Sequence, residues 1–243
     1  MFGGTRFSRQ ELVFGAGSQE RFSSARAVVV GVGGTGSFSA SLLCRAGVGE
    51  LELVDRDLVE ESNLSRQTLF CEDDVGKSKA LRAAAALKRV NSECRVRGRF
   101  TQLDGSNAVA LLRGARVVLD CTDNVSARQA INSACLELRI PWVFCSALGL
   151  RAMASTIIPG RTPCFACWGG GESPSCGEGV VGAAVQLASA VQASEALALL
   201  AGRKPCFAGS LFFGDLGDGC FGRVGLSREK NCICGGGRGR RVI

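Results

Sequence analysis

The run Ala27-Val28-Val29-Val30 passes directly into Gly31-Val32-Gly33-Gly34-Thr35-Gly36, and an apolar helical pattern through Leu42, Leu43 and Ala46 follows. This junction constrains the fold more tightly than any other segment. Gly31, Gly33 and Gly36 stand in G-x-G-x-x-G spacing, which lets a strand reverse into a helix and leaves backbone N–H groups open to an anion. The same alternation recurs downstream. Residues 50–54 read as a strand ending at Asp55, 77–89 as an Ala- and Leu-rich helix, and 96–100 and 117–120 as further strands. Residues 126–139 read as a helix and 142–145 as another strand. The pattern predicts an α/β fold with a doubly wound, mainly parallel, Rossmann-like sheet and helices on both faces.

The second half changes character. A strand is expected over 152–158, then an irregular, mobile Gly/Pro/Ser/Cys loop over 159–179, and a long helix over 180–200. Strands at 211–213 and 221–226 would form an antiparallel C-terminal extension. No repeat or long linker interrupts the chain, so residues 1–234 read as a single domain and 235–243 as a flexible Gly/Arg tail. At 243 residues the core buries about 70% of the unfolded surface without needing staples. The most apolar stretch, 179–202, contains Gln186, Ser189, Gln192, Ser194 and Glu195, which argues for a buried helix and against a membrane span. The opening MFGGTRFSRQE has no signal-peptide run, and a cytoplasmic location is expected.

The chain has no histidine and no tyrosine. Ser-His-Asp and Cys-His catalysis, histidine metal ligands and tyrosine acids are therefore excluded. The net charge of +7 comes without the basic stripe of a nucleic-acid binder, so no nucleic-acid partner is expected, and it suits an anionic small ligand. Thirteen cysteines, an odd number, read as reduced thiols; Cys44, Cys121, Cys135 and Cys145 lie in apolar segments and fit the core.

Asp55 ends the strand after the glycine turn, where a carboxylate accepts hydrogen bonds from ribose hydroxyls. So far the pattern equally fits an NAD enzyme. Arg66, Lys77 and Lys79 follow soon after, a density of cations better matched to a triphosphate than to a pyrophosphate. Asp120-Cys121-Thr122-Asp123-Asn124 closes the fourth strand, which would turn its carboxylates to the same ligand-binding edge, with Asp123 a candidate Mg²⁺ ligand. Cys164 and Cys167 form C-x-x-C, half of a zinc site.

Taken together, RFSRQ (residues 6–10), GVGGTG, VDRDLVEESNLSRQ (54–67), GKSK, DCTDN, the Cys164/Cys167 pair and SCGEG (175–179) resemble the ThiF/MoeB/HesA family, within the ubiquitin-activating-enzyme superfamily. The resemblance spans residues 6–234. It implies ATP-dependent adenylylation of the C-terminal Gly-Gly carboxylate of a small, ubiquitin-like (β-grasp) sulfur-carrier protein, with release of pyrophosphate. Sulfur transfer for molybdopterin, thiamine or tRNA thiolation would be served. It places Gly34 at the phosphate and Asp55 at the ribose. Asn63, Arg66 and Lys79 would contact the triphosphate, with Asp57, Ser62 and Gln67 in the same binding segment. Asp123 would hold Mg²⁺ with Asn124 beside it. Arg9 resembles an arginine that reaches into a partner subunit's site, which implies a homodimer. Cys176 resembles a loop cysteine used by some members in a covalent link to the carrier. The family's second metal-binding pair is C-x-x-C, whereas this chain has Cys232-Ile233-Cys234, one residue short. A Cys₄ zinc site, a site without metal, and a site completed by Cys206 or Cys220 all stay open.

Other readings compete. An NAD-linked oxidoreductase would lack a His or Tyr to move the proton. A non-catalytic zinc-bearing subunit would fail to bind ATP. A relative that activates a carboxyl group on a modified tRNA base would need no carrier.

Overall fold

The computed structural model describes residues 5–169 and 179–235. Two short helices, α1 (Ser8–Phe14) and α2 (Ser18–Ser23), precede β1 (Arg26–Val30), α3 (Gly34–Arg45) and β2 (Glu50–Asp55). Then come α4 (Lys79–Val90), β3 (Arg95–Phe100), α5 (Ala108–Leu112), β4 (Val117–Asp120) and α6 (Val125–Leu138). The chain continues through β5 (Trp142–Leu148), β6 (Arg151–Ile157), α7 (Gly182–Leu200), β7 (Ser210–Asp215) and β8 (Cys220–Gly225). The eight strands form one sheet in the order β3-β2-β1-β4-β5-β6-β7-β8. The first five are parallel and the last three antiparallel. The expected doubly wound sheet and its antiparallel extension are therefore both present.

The parallel strands are apolar on both faces because helices cover both. Along β1, Ala27 and Val29 face a core shared with Leu43, Leu87 and Ala188, of α3, α4 and α7. Val28 and Val30 face the opposite core with Leu112 and Ile131, of α5 and α6. Helix α5 had no counterpart in the sequence reading; at five residues it is too short to show a periodic pattern.

By length and composition alone, α7 could cross a membrane. Half of it is buried here. Gln192, fully buried, explains how a polar residue sits in this helix. Its Nε2 donates to the carbonyls of Asp120 and Val143 at 2.8 Å each, and its Oε1 accepts from Ser39 Oγ at 2.7 Å. These bonds clamp α7 across β4, β5 and α3. The N-terminal helices are pinned elsewhere. Gln10 Nε2 donates to the Ala46 carbonyl at the C-terminal end of α3 (2.7 Å), and Phe14 meets Phe22 edge-to-face.

Candidate nucleotide site and cysteine cluster

The glycine turn runs from β1 into α3 at the C-terminal edge of the sheet. Gly31 has φ +84°, and a Cβ there would lie 2.6 Å from the Cys121 carbonyl oxygen. At Gly36 a Cβ would lie 1.9 Å from the Gly31 oxygen. Only glycine lets the turn close this tightly against β4. Gly33 has no steric need: its nearest neighbour would be Gln67 Nε2 at 3.7 Å. Gly34 is flanked by Val185 of α7 and by the Arg66 side chain.

Asp55 is buried at the end of β2. Its Oδ2 accepts from the Val32 N–H at 2.6 Å and its Oδ1 from the Asp57 N–H at 2.7 Å. Burial pushes its carboxyl above the ordinary range, although both N–H bonds and Lys79 oppose the shift. Lys79 opens α4, with Ser78 as its cap. A cation at a helix N-terminus has the wrong sign for the dipole. Here Asp57 Oδ2 lies 3.3 Å from Lys79 Nζ, and Lys79 is only 7% exposed. Lys77, by contrast, is exposed.

The segment between β2 and α4 lies over the turn. Asn63 is buried; its Oδ1 accepts from the Glu60 N–H (3.3 Å) and its Nδ2 donates to Ser62 Oγ (3.3 Å), forming the 3-10 turn Glu61–Asn63. Ser62 is exposed. Arg66 Nη1 donates to the Ser62 carbonyl at 2.9 Å. Gln67 is 4% exposed, and its Oε1 has no hydrogen-bond partner. The Gln67 amide thus sits against the glycine turn with its oxygen buried and unsatisfied.

At the end of β4, Asp123 and Asn124 are exposed. Asn124 Oδ1 caps α6 through the Ala127 N–H (2.9 Å), and its Nδ2 donates to Asp123 Oδ1 (3.3 Å). Asp120 departs from expectation. Its carboxyl does not face the ligand edge but is fully buried against Arg128, with Nε 3.4 Å from Oδ2. Hydrophobic neighbours on both faces of β4 leave a strand residue no route outward, so its charge needs an internal partner. Arg128 carries no distinguishing signal in the sequence, because α6 also holds Ser126, Gln129, Asn132, Ser133 and Glu137.

Arg9 is exposed on α1 and does not join this site. Its helix is bonded to the C-terminal end of α3, whereas the turn lies at the N-terminal end, about 18 Å away along a 12-residue helix. Cys176 lies outside the described residues, as do residues 236–243, most of the predicted tail.

Cys164, Cys167, Cys232 and Cys234 converge, with all four sulfurs within 4.8 Å of one another. Cys164 and Cys232 are 3.3 Å apart, and Cys167 and Cys234 3.5 Å apart. A tetrahedral Zn–S₄ centre needs edges of about 3.8 Å, so small outward shifts would admit the ion. In the shortened C-x-C pair, Ile233 points outward, at 71% exposed, while the sulfurs of Cys232 and Cys234 both reach the cluster. Cys206 and Cys220 are exposed and take no part. Burial pushes the Cys164 thiol up; it opposes the shift at Cys167, where backbone and thiol contacts together outweigh it and hold the thiol below its ordinary value.

A profile of the ThiF family matches residues 7–236, nearly the whole chain. The chain belongs to the ThiF family. It is 37% identical over 209 residues to the sulfur carrier protein ThiS adenylyltransferase of Bacillus subtilis, covering 82% of this chain and 62% of that protein. It is 38% identical over 237 residues to the adenylyltransferase and sulfurtransferase MOCS3 of Drosophila ananassae, covering 94% of this chain and 52% of that protein. The chain thus spans little more than half the length of these curated relatives. In fold it matches the crystal structure of E. coli MccB with succinimide, at a TM-score of 0.88 and 23% identity, over 98% of this chain and 75% of that one.

Proposed function

We propose that this ThiF-family protein adenylylates the C-terminal carboxylate of a small ubiquitin-like sulfur carrier ending in Gly-Gly, using ATP. The observation that carries the reading is the convergence of Gly33, Gly34, Arg66, Gln67, Asp55 and Lys79 at one sheet edge. Family membership supports adenylyl transfer over hydride transfer from the same glycine turn.

The chain's residues suit the chemistry. The carboxylate nucleophile is already ionised, so no protein base is needed and the lack of histidine is no obstacle. Attack at the α-phosphorus forms an acyl-adenylate and expels pyrophosphate. Both reactants are anions, so positioning and charge neutralisation dominate. Asp55 holds the ribose. The N–H groups of the glycine turn receive the phosphates, and Arg66 and Lys79 neutralise them. Asp57 keeps Lys79 aimed. Asp123 would hold Mg²⁺, which supplies charge to the leaving pyrophosphate when bound. The four thiols fit Zn²⁺ as a structural ion closing residues 164–167 onto 232–234.

Arg9 lies too far from its own turn to serve it. It acts instead in the site of a second copy of a homodimer, presented beside the exposed Leu12 and Val13. A cytoplasmic location suits reduced thiols.

ATP–pyrophosphate exchange with a panel of β-grasp proteins, each intact and truncated before Gly-Gly, tests the proposal. Exchange with an intact carrier alone supports it and names the pathway, since relatives from both the ThiS and MOCS3 groups match at similar identity. ATP binding without exchange on any carrier overturns it, in favour of another carboxyl substrate such as a modified tRNA base.

A further inference from the structure

Arg128 is a buried charge that the proposed reaction does not use. Its guanidinium meets three groups. Nε lies 3.4 Å from Asp120 Oδ2, Nη2 donates to the Thr122 carbonyl at 2.7 Å, and Cζ stands 5.0 Å over the Phe144 ring. Asp120 Oδ1 in turn accepts from the Thr122 N–H (3.0 Å) and Oγ1 (2.7 Å). The loop that carries Asp123 is thus held from inside by one arginine and the carboxylate it pairs with.

The same arginine leads to the cysteine cluster. Phe144 packs on Phe165 at 5.9 Å and edge-to-face on Trp168 at 5.2 Å. Phe165 lies between Cys164 and Cys167, and Trp168 follows. One turn along α6 from Arg128, Asn132 Oδ1 accepts from the Phe165 N–H at 3.0 Å. Helix α6 is therefore bonded to the Asp123 loop at one turn and to the cysteine turn at the next.

We propose that Arg128 is a positioning residue that couples the four-cysteine cluster to the Asp123 loop, so that metal at the cysteines strengthens divalent-metal·ATP binding at the sheet edge. The inference rests on the nucleotide reading above. Coupling is reciprocal, so metal·ATP must tighten zinc binding by the same factor.

Mn²⁺ serves as a spectroscopic stand-in for Mg²⁺. Its affinity in the presence of ATP is measured by electron paramagnetic resonance on zinc-loaded and zinc-depleted protein. Arg128→Lys is expected to weaken Mn²⁺·ATP about 10-fold with full zinc content, and depletion of wild type to weaken it similarly. Depleting Arg128→Lys should add little, because the link is already broken. A purely structural role would lower the melting temperature and leave Mn²⁺ affinity unmoved. Should Arg128→Lys fail to fold, Asp120→Asn with Arg128→Met removes both buried charges together and is expected to fold with the same loss. Wild-type affinity in the folded variant, or full additivity with depletion, overturns the coupling alone. Wild-type protein that binds no Mn²⁺·ATP overturns the nucleotide reading and this inference with it.

Discussion

Asp55 Oδ2 accepts a 2.6 Å hydrogen bond from the backbone N–H of Val32, tying the end of β2 to the first step of the glycine turn. The bond leaves the carboxylate both buried and fixed, with its second oxygen on the Asp57 N–H. In the proposed nucleotide site, Asp55 would thus be a ribose acceptor that binding need not order.

That burial gives a pH signature. Asp55 is shifted above the ordinary aspartate value of about 3.9, first by desolvation. Its carboxylate should therefore take up a proton, and ATP affinity should fall, at a pH where an exposed aspartate is still charged. For folding, a raised carboxyl works the other way. Its contribution is fully present below the unfolded pKa and is lost as pH rises through the folded value. Calorimetric ATP titrations from pH 7 downward should show the loss in wild type and a flat profile in Asp55→Asn. An equally steep Asp55→Asn profile would assign the effect to another group.

The glycines should separate by role. Gly36→Ala drives a methyl group into the Gly31 carbonyl and should cost at least about 2 kcal/mol in urea unfolding. Gly33→Ala meets nothing closer than 3.7 Å and should change stability by less than about 0.5 kcal/mol. With the phosphates seated on this turn as proposed, the added methyl group would crowd them, and ATP affinity should drop about 10-fold, a loss of about 1.4 kcal/mol. Unaltered ATP affinity in Gly33→Ala would place the phosphates elsewhere.

Lys79→Ala and Asp123→Ala should each lower exchange at least about 100-fold while the melting temperature holds. The first removes a cation from the wrong end of α4 and frees an Asp57 carboxylate that water can solvate. The second removes an exposed side chain. Normal exchange by Asp123→Ala would refute its Mg²⁺ role.

With zinc at the four cysteines as proposed, Cys234→Ser should lower the bound metal towards none. The melting temperature should fall by roughly 10 °C, which at this chain length is about 3 kcal/mol. Cys220→Ser, an exposed thiol outside the cluster, should change neither. Metal analysis with a melting curve decides it; equal zinc in both variants would remove Cys234 from the ligand set.

Much of the architecture was legible in the chain. The strands at Val28 and Val118 and the helix at Leu87 announce themselves because periodicity is a local property. Gly31 and Gly36 could be assigned to a tight turn for the same reason. Asp120 could not be separated from Asp123 by reading alone, since both sit three residues apart at one strand end and differ only in what surrounds them. Gln67 likewise shows no sign in the sequence that its side-chain oxygen lacks a partner.

The sequence by itself determined the alternation of strands and helices, the glycine turn and the absence of imidazole chemistry. These follow from residue type and spacing along a few turns of chain. Tertiary structure alone decided that Cys232 and Cys234 turn inward to meet Cys164 and Cys167. It also decided that Arg128 neutralises Asp120 and that Arg9 stands away from its own site. Those outcomes depend on contacts between residues far apart in sequence, where packing and desolvation, rather than local propensity, determine which polar groups find partners.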